Sequence, residues 1–424
     1  MDTHLETLRT LDSLTAGRVR DLVGTPAYVY NENLLVARAR ETLAFPNAFG
    51  LTVRYAMKAC PNGNILRIFD REGLFVDASS VWEVERAVQA GIEPRKISLS
   101  TQELAPGFED WVRRGASVNA CSLDQIDRYG KAFPGKEIGL RLNPGLGSGG
   151  TTKTNVGGPA SSFGIWHEML DEVDAVLKKY GLVVVRIHSH IGSGSDPVVW
   201  IRAASLTLAH VRRYDSVRSL NLGGGFKVGR MRGESDTELQ QVGQPVRELV
   251  EDFARDTGRE LRFEIEPGTF LTANAGAVLA TVQDMTATGE DGYEFIKLDT
   301  GMTELARPSL YGSQHPMIVI PAGGGENRGV ASYIAVGHCC ESGDMLTPRE
   351  GDPSALEPRT LARAEIGDLL VIEGAGAYCS AMATKNYNSF PEAPEVLIRA
   401  NGEPVVIRRR QILDQIIGSE IRAV

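Results

Sequence analysis

A lysine directly follows the first strongly apolar run of the chain, where its amine could act on a bound molecule. Lys58 lies in the run VRYAMKA, between Met57 and Ala59. An apolar setting removes water from a lysine amine, favours its neutral form and lets it attack a carbonyl to form a Schiff base. The structural alternative is a lysine whose stem lies along the strand while its ammonium reaches solvent.

Two glycine-containing motifs could hold a phosphate group. Gly223, Gly224 and Gly225 of GGGF expose backbone N–H groups without side chains, which is typical of a phosphate nest, although such a triplet can also form only a turn. In HSHIGSG, His190 is followed by a glycine that permits close approach and by Ser193, whose hydroxyl can donate to phosphate. A lone histidine on a strand is otherwise most often a satisfied core residue.

A glutamate lies at the end of another apolar run. Glu266 of EPG follows LRFEI, and an isolated carboxylate in such a place is costly unless it is paired. A protonated pyridine nitrogen would be a suitable partner, and its positive charge makes the ring an electron sink. Glu266 is therefore a candidate partner for the ring of a bound cofactor.

Eight short β-branched runs alternate with longer amphipathic stretches between Thr52 and Gly268. This rhythm is typical of a parallel sheet, and eight units fit a closed (β/α)8 TIM barrel. The predicted strands are VRYAMKA, LFVDASS, KISLST, SVNACS, EIGLRLNP, VVVRIHSHIG, RSLNLGGG and LRFEIEPG. A barrel would bring the polar and glycine residues at its strand ends to one rim, namely Lys58, Asp77, Arg141, Asn143, His188, His190, Gly223, Gly224, Gly225 and Glu266.

The pattern changes after about Ala277 to apolar runs separated by Gly, Pro and Asp turns. The runs EFIKLDTG, MIVIPAGGG, YIAVGHC, DLLVIEGAGAY, EVLIRANG and VVIRRR predict antiparallel strands of an all-β domain. The early run AYVYN, residues 27 to 31, predicts a strand of that same domain. The expected division is an N-terminal segment at 1–34, a barrel at 35–276 and a β domain at 277–424.

Composition indicates a globular protein that acts on a small molecule. The net charge is −9 and the basic residues are scattered, which argues against a nucleic-acid or membrane surface. The amino end lacks the basic and apolar pattern of a targeting peptide, so we expect a cytoplasmic location. Five cysteines without paired spacing predict neither a disulfide framework nor a zinc site, and we expect no metal.

Taken in order, the motifs resemble the alanine-racemase-fold (fold type III) decarboxylases that use pyridoxal phosphate, most closely the diaminopimelate decarboxylase family. The resemblance spans roughly residues 25 to 420. It rests on YAMKA, HSHIGSG, GGGF, EPG, RPSLYG, CESGD and GAYCSAMATKNYNS.

The resemblance implies a role for each matching residue. Lys58 would carry pyridoxal 5'-phosphate, His190 would stack on its ring and Glu266 would pair with the ring nitrogen. The phosphate would be held by Ser193, Gly223, Gly224, Gly225 and Tyr378. Family members are homodimers with shared active sites, so Cys340 and Glu341 of CESGD would act in the partner's site, with Cys340 near the substrate α-carbon. Decarboxylation would end when Cys340 or Lys58 returns a proton to that carbon.

Three positions depart from the family pattern by losing a basic residue. EPG is usually followed by Arg but here by Thr269, the usual Lys-Phe-Gly is Ser162-Phe163-Gly164, and NYNSRP is NYNSFP with Phe390. Removing one partner of a buried charge pair typically costs about 2 to 5 kcal/mol. A basic residue elsewhere compensates, or the substrate differs at its distal end.

The remaining candidate substrate contacts are Arg307 and Tyr311 of RPSLY for a distal carboxylate and Glu341 for a distal ammonium. Three alternatives stay open. The first is a decarboxylase of another amino acid, such as lysine, ornithine or a modified or carrier-bound acid. Racemisation on the same fold is disfavoured by CESGD and NYNS, and a cofactor-binding pseudoenzyme is disfavoured by the retained Lys58, His190, Glu266 and Cys340.

Overall fold

The computed structural model describes residues 5–147, 156–192, 197–322 and 328–423. The chain forms two compact units, one made of Met1–Leu35, Val228–Ser235 and Thr272–Val424 and the other of Val36–Lys227 and Asp236–Leu271. We call them the β unit and the barrel unit. The domain limits expected from the sequence stay a prediction. No helix in the described ranges is long and apolar enough to span a membrane.

The described strands are β1 Ala27–Asn31, β2 Leu51–Ala56, β3 Phe75–Ala78, β4 Ile97–Ser100, β5 Ser117–Ala120, β6 Glu137–Asn143, β7 Ile165–Trp166, β8 Val183–His188, β9 Ser219–Asn221, β10 Arg262–Ile265, β11 Gly276–Ala287, β12 Glu294–Leu298, β13 Met317–Ile320, β14 Val330–Val336, β15 Pro348–Arg349, β16 Asp352–Leu356, β17 Arg359–Ala362, β18 Leu369–Ile372, β19 Glu395–Ile398 and β20 Pro404–Arg408. The described helices are α1 Ser13–Val23, α2 Glu32–Leu43, α3 Gly63–Arg71, α4 Val81–Gln89, α5 Phe108–Arg113, α6 Leu123–Ala132, α7 Leu170–Tyr180, α8 Pro197–Val211, α9 Leu239–Thr257, α10 Thr269–Thr272, α11 Arg307–Tyr311 and α12 Leu413–Ile417.

The barrel unit contains a closed parallel sheet of eight strands. Its order is β2, β3, β4, β5, β6, β8, β9 and β10, and β10 pairs with β2 to close the ring. Helices α3 to α9 alternate with these strands. The (β/α)8 barrel and all eight of its predicted strands are confirmed. The short strand β7, which pairs with β6, was not predicted.

Side-chain caps fix the points at which helices begin after barrel strands. Ser80 accepts the N–H of Glu83 at the start of α4, and Ser122 accepts the N–H of Gln125 at the start of α6. The side chain of Glu83 in turn accepts the N–H of Ser79 at 2.7 Å. Each cap satisfies N–H groups that the first turn of a helix leaves without partners. The loops after β3 and β5 are thereby fixed at the carboxyl edge of the barrel.

The barrel interior carries charge below the rim. Arg54 Nε lies 2.8 Å and Arg186 Nε 3.1 Å from Glu264 Oε2. Although burial favours the neutral acid, the two guanidinium groups hold the pKa of Glu264 down at about 2. Because alternate residues of a strand share a face, Glu266 lies one layer above Glu264, and His188 one layer above Arg186. The ion-paired layer of Arg54, Arg186 and Glu264 therefore lies directly beneath the rim residues.

The β unit is a mixed sheet rather than the antiparallel one predicted. The central order is β17, β14, β12, β11, β1, β19 and β20, and β18 pairs with β11 and β13. Most pairs are antiparallel, but β12 runs parallel to β14 and β1 runs parallel to β19. The prediction failed there because a single chain's pattern gives strands but not their partners. It also missed β11, the 12-residue strand that pairs with three others.

The strand predicted at AYVYN is β1, and it pairs with β11 and β19. Its inward residues enter an apolar core, because Val29 lies opposite Ala277 on one side and Val396 on the other. The buried cluster consists of Leu11, Ala16, Val19, Ala27, Val29, Ala277, Leu279, Leu369, Val371, Val396 and Ile398. Burial of this apolar surface ties both ends of the chain into one sheet.

Candidate active site

Lys58 lies at the carboxyl edge of the barrel, in a short 3-10 turn, Met57–Ala59, directly after β2. Met57 and Ala59 are buried, but the Lys58 side chain is exposed and lines a cavity of about 390 Å³ with Ser79, Arg141 and other residues. The expectation that the Lys58 amine is partly desolvated at the end of the strand is therefore wrong. The turn buries the neighbours and aims the lysine outward, so the amine is free to reach a bound molecule.

Glu266 is held by two side chains, one from the end of β8 and one from the end of β9. His188 Nε2 lies 3.1 Å from Glu266 Oε2, and Asn221 Nδ2 donates to Glu266 Oε1 at 2.6 Å. Burial on its own would favour the neutral acid, but the contacts with His188 and Asn221 hold the pKa of Glu266 well below its usual range. The rim thus contains a buried, ionised carboxylate, which is suited to face a cationic ring nitrogen.

His190 packs directly against the glycine triplet. The N–H of Gly224 donates to His190 Nδ1 at 3.3 Å, so this nitrogen carries no proton. Burial, with Arg141 and Lys58 nearby, lowers the pKa of His190 well below its ordinary value. A neutral imidazole presents a flat face on which an aromatic ring can stack.

The triplet requires glycine for steric reasons. A Cβ on Gly223, whose φ is +66°, would lie 2.6 Å from His190 Nδ1, and a Cβ on Gly224 would lie 2.5 Å from the carbonyl oxygen of Glu266. Gly225 has a φ of +103°. The chain therefore brings bare backbone against His190 and Glu266, which is the arrangement a phosphate nest needs.

Asp77 adds a second buried carboxyl group to the rim. In the described part of the chain its Oδ1 has no hydrogen-bond partner. Burial and the neighbouring charge of Glu266 raise the pKa of Asp77 well above its usual range, against the effect of Lys58. Asp77 and Glu266 form a pair in which one carboxyl is kept neutral and the other ionised.

Two substituted positions also lie in the barrel unit. Thr269 begins α10 and follows Gly268, which packs against Ala56 and Ala59 on either side of Lys58. Ser162 is exposed and accepts a hydrogen bond from Gln102 Nε2 at 3.0 Å. Its neighbour Phe163 lies under the guanidinium of Arg141, 5.1 Å from the ring centroid. Ser193, expected to hold phosphate, lies outside the described residues.

Arg307, Tyr311 and Tyr378 belong to the β unit. Arg307 and Tyr311 are the ends of α11, and the guanidinium lies 5.7 Å from the tyrosine ring centroid. Arg307 donates to Ser313 Oγ at 3.3 Å, and its Nε has no partner among the described residues. Tyr378 has a φ of +56°, a conformation that is strained for a side chain of this size. Strain of this kind is concentrated at functional sites.

Cys340 and Glu341 follow β14 and are both exposed. The adjacent Cys339 is buried, and burial together with Asp344 raises its pKa to about 12. Of these two neighbouring thiols, only Cys340 is placed to contact a substrate. Cys340 and Glu341 line a second cavity, which contains Phe390 but not Arg307. The structure therefore groups Cys340 with Glu341 but not with α11.

Three residues that help to build these sites were not singled out from the sequence. Asn221 donates to Glu266, Asp344 accepts the backbone N–H groups of Met302 and Cys339, and Asn388 accepts the N–H of Cys340. A polar residue inside the apolar run RSLNLGGG was the available signal for Asn221. Asp344 and Asn388 lie in motifs that were recognised, but only the folded chain shows what they contact.

Known proteins that resemble this chain share its architecture. Residues 36–273 match the family model of the pyridoxal-dependent decarboxylase, pyridoxal binding domain. A diaminopimelate decarboxylase of Streptomyces coelicolor is 35% identical over 406 residues, which cover 94% of this chain and 90% of that protein. One of Escherichia coli K12 is 34% identical, with 94% of each chain covered.

Solved structures agree with these relatives. A crystal structure of a diaminopimelate decarboxylase superposes with a TM-score of 0.90 at 33% identity and covers 97% of each chain. Another, from Helicobacter pylori in complex with L-lysine, gives a TM-score of 0.80 at 25% identity, covering 95% of this chain and 98% of that one. The chain belongs to the pyridoxal-dependent decarboxylases. It is a carboxy-lyase that acts on a small amino-acid substrate and uses pyridoxal phosphate.

The rim residues fit this cofactor. The exposed amine of Lys58 offers a covalent anchor, the ionised Glu266 a partner for the ring nitrogen and the neutral His190 a stacking surface. The glycine triplet leaves no room for side chains beside His190 and Glu266. The free oxygen of Asp77 adds a buried polar atom without a partner in the described ranges.

Proposed function

We propose that this enzyme converts meso-diaminopimelate to L-lysine and carbon dioxide, a step of lysine biosynthesis. The observation that carries the proposal is near-full-length similarity to several diaminopimelate decarboxylases at about the same identity. The rim geometry supports the chemistry, since an ionised Glu266 lies beside the glycine triplet and an exposed Lys58 lies at the same edge of the barrel.

We assign the cofactor contacts to residues at the barrel rim and to Tyr378 of the β unit. Lys58 anchors the cofactor, His190 stacks on the ring and Glu266 pairs with its nitrogen. Gly223, Gly224, Gly225, Ser193 and Tyr378 hold the phosphate. When bound, pyridoxal phosphate supplies a positively charged ring that accepts the electron pair left by the departing carboxylate.

The protein's own groups govern charge and protons around that step. His188 and Asn221 keep Glu266 ionised, so that its negative charge stays available to the ring nitrogen. Lys58 accepts and returns protons at the amine of the substrate. Cys340 donates a proton to the α-carbon after carbon dioxide leaves. The neighbouring Cys339 does not take this role, because it is buried and burial raises its pKa to about 12.

The distal end of the substrate is held by residues of the β unit. Arg307 binds a distal carboxylate with Tyr311, and Glu341 binds a distal ammonium. The site is shared in a homodimer, so that Cys340 and Glu341 serve the partner's cofactor. A cytoplasmic location is part of this proposal, supported by five cysteines that are all free.

A second candidate is a decarboxylase of an acid with a neutral or modified distal end. It is favoured by the loss of three basic side chains, because Thr269, Ser162 and Phe390 carry no positive charge that could form an ion pair with a carboxylate. Ser162 is already bonded to Gln102, and Phe390 is stacked on His338 with ring centroids 3.7 Å apart. Neither position 162 nor position 390 therefore supplies a positive charge to the substrate.

Carbon dioxide release across a panel separates the two candidates. The panel contains meso-diaminopimelate, D- and L-lysine, D- and L-ornithine and acids with amidated distal carboxylates, with product chirality determined by chromatography. The first candidate requires L-lysine from meso-diaminopimelate at kcat/KM of about 10⁴ M⁻¹s⁻¹ or better. A preference of about tenfold or more for an acid with a neutral distal end would instead support the second.

A further inference from the structure

A tight turn in the β unit, residues 386–390, has an unusual backbone. Asn386, Asn388 and Ser389 have φ values of +60°, +50° and +61°, a region that residues with side chains rarely adopt. The turn is closed by Asn386, whose Nδ2 donates to the carbonyl of Phe390 at 3.0 Å and to Gln411 Oε1 at 2.6 Å. Contacts at its base thus hold three residues in a strained conformation.

The tip of this turn contacts the segment that carries Cys340. Asn388 Oδ1 accepts the backbone N–H of Cys340 at 2.9 Å, and the Tyr387 hydroxyl donates to Glu341 Oε2 at 3.4 Å. The Phe390 ring stacks on His338, with centroids 3.7 Å apart and planes 5° from parallel. Residues 387, 388 and 390 therefore meet residues 341, 340 and 338 in reverse order.

The opposite side of the Cys340 segment is fixed by a buried carboxylate. Asp344 accepts the N–H of Cys339 at 2.8 Å and that of Met302 at 2.6 Å. A Cβ on Gly301 or on Gly337 would lie within 2.4 Å of both Asp344 carboxylate oxygens, so both positions need glycine to leave room for Asp344. Asp344 anchors the segment from inside the β unit, and the turn meets it from outside.

We propose that the turn 386–390 positions Cys340 and Glu341 for the reaction, with Asn388 as the positioning residue for Cys340 and Tyr387 for Glu341. The inference rests on the proposed function, which gives Cys340 the proton transfer and Glu341 the distal end of the substrate. The strained backbone has a purpose under this proposal, because it brings the Asn388 side chain to the Cys340 amide. Phe390, at a position that is basic in related enzymes, contributes by packing against His338.

Alkylation of Cys340 in the holoenzyme tests whether the turn holds the segment. In the single chain Cys340 is exposed and the other four cysteines are buried, so peptide mapping after iodoacetamide treatment identifies modification at this one thiol. Asn388→Gly tolerates the positive φ but lacks the acceptor, whereas Asn388→Asp keeps an acceptor oxygen. We expect Asn388→Gly to change the alkylation rate about threefold or more, and Asn388→Asp to stay within about twofold of wild type. Both rates are compared at a pH where the Cys340 thiol is fully ionised, because the added carboxylate disfavours the thiolate at lower pH.

The matched control is Asn401→Gly. Asn401 is an exposed asparagine of the same unit whose Oδ1 also accepts a backbone N–H, that of Glu403 at 3.1 Å, and it has no contact with the turn. Its loss should leave the Cys340 rate unchanged. Phe390→Leu removes the stacked ring and should shift the rate in the same direction as Asn388→Gly. If Asn388→Gly does not yield folded protein, the alkylation rate of Phe390→Leu tests the proposal in its place.

Steady-state kinetics per bound cofactor test the role in the reaction. Asn388→Gly should lower kcat about tenfold with less than a threefold change in KM, and Tyr387→Phe should mainly raise KM. The proposal is overturned if Cys340 is alkylated at the wild-type rate in both Asn388→Gly and Phe390→Leu. It is also overturned if the alkylation rate changes but kcat and KM keep their wild-type values. Cys340→Ala separates failure of the proposed function from failure of the positioning proposal. Wild-type turnover in that variant would show that Cys340 has no role in the reaction, whereas the alkylation rates would still show whether the turn holds its segment.

Discussion

The side-chain amide of Asn221 joins the carboxylate of Glu266 to the glycine nest. Its Nδ2 donates to Glu266 Oε1 at 2.6 Å, and its Oδ1 accepts the N–H of Gly223 at 2.8 Å. Nδ2 also donates to Glu264 Oε2 at 3.4 Å. Because the amide donates at one end and accepts at the other, Asn221 connects the carboxylate that we assign to the cofactor ring nitrogen with the backbone that we assign to the phosphate. One residue thus links the two ends of the proposed cofactor site.

Replacing the Asn221 amide should therefore weaken cofactor binding. Asn221→Asp puts an oxygen where Nδ2 now faces Glu266, and the resulting repulsion of two carboxylates should weaken binding by about tenfold or more. Asn221→Ala only removes the contacts and should cost less. Absorbance titration of each apoenzyme with pyridoxal phosphate gives the comparison, with Asn401→Ala as the control. Equal affinity in wild type and Asn221→Asp would contradict the proposed role.

Lys58 should be the residue that binds the cofactor covalently. Borohydride should fix the cofactor permanently on wild-type protein, and Lys58→Ala should lose both this bond and the associated visible absorbance. The control is Lys96→Ala, since Lys96 lies before β4 and pairs with Asp70 at 2.6 Å. Mass spectrometry of digested protein locates the reduced cofactor. A cofactor-bearing peptide from borohydride-treated Lys58→Ala would show that another lysine binds the cofactor covalently.

The β unit should lose stability as pH rises from about 5 to 8. Glu304 is buried among Thr300, Thr303 and Asp344, and burial raises its pKa from 4.5 to about 7. The folded form keeps this proton in a range where the unfolded chain has released it. The stabilising contribution is therefore complete below pH 4.5 and is lost as pH rises through 7.

Glu304→Gln provides the comparison, because the amide has the same shape and does not titrate. Thermal unfolding of both proteins should show a melting temperature that falls more steeply with pH in wild type than in the variant between pH 5 and 8. Parallel curves over this range would mean that Glu304 does not hold its proton.

A shared active site should allow two inactive variants to complement each other. A mixed dimer of Lys58→Ala and Cys340→Ala chains contains one site with both mutations and one site with neither. After verified subunit exchange, a 1:1 mixture should recover about a quarter of wild-type activity, since half of the dimers are mixed and each has one intact site of two. Recovery of none, with exchange confirmed by native mass spectrometry, would argue against sites built from two chains.

Thr269→Arg should reveal which distal group the site accepts. If the native substrate carries a distal carboxylate, the new guanidinium supplies a cation for it in addition to the one proposed at Arg307, and the KM for meso-diaminopimelate should fall about tenfold. If the distal end is neutral, the variant buries an unpaired cation and turnover of the native substrate should drop. Steady-state kinetics on both substrate types give opposite signs for the two cases, with Thr269→Val as a control of similar size.

The sequence by itself determined the barrel and much of its rim. Strand and helix periodicity are local properties, so all eight barrel strands were predicted, and parallel order then required Lys58, His190 and Glu266 to lie at one edge. The ordered motifs likewise identified the family, since they are read from residue types alone. The strand β1 was recognised for the same reason.

Only the tertiary structure decided which residues meet across the chain. Strand patterns do not encode partners, so the parallel pairing of β12 with β14 was missed, and the exposure of Lys58 depends on a turn that the apolar run does not reveal. The contact of Asn388 with Cys340 joins residues 48 positions apart. Such contacts depend on the path of the folded backbone, because hydrogen bonds act over a few ångströms in space irrespective of distance along the sequence.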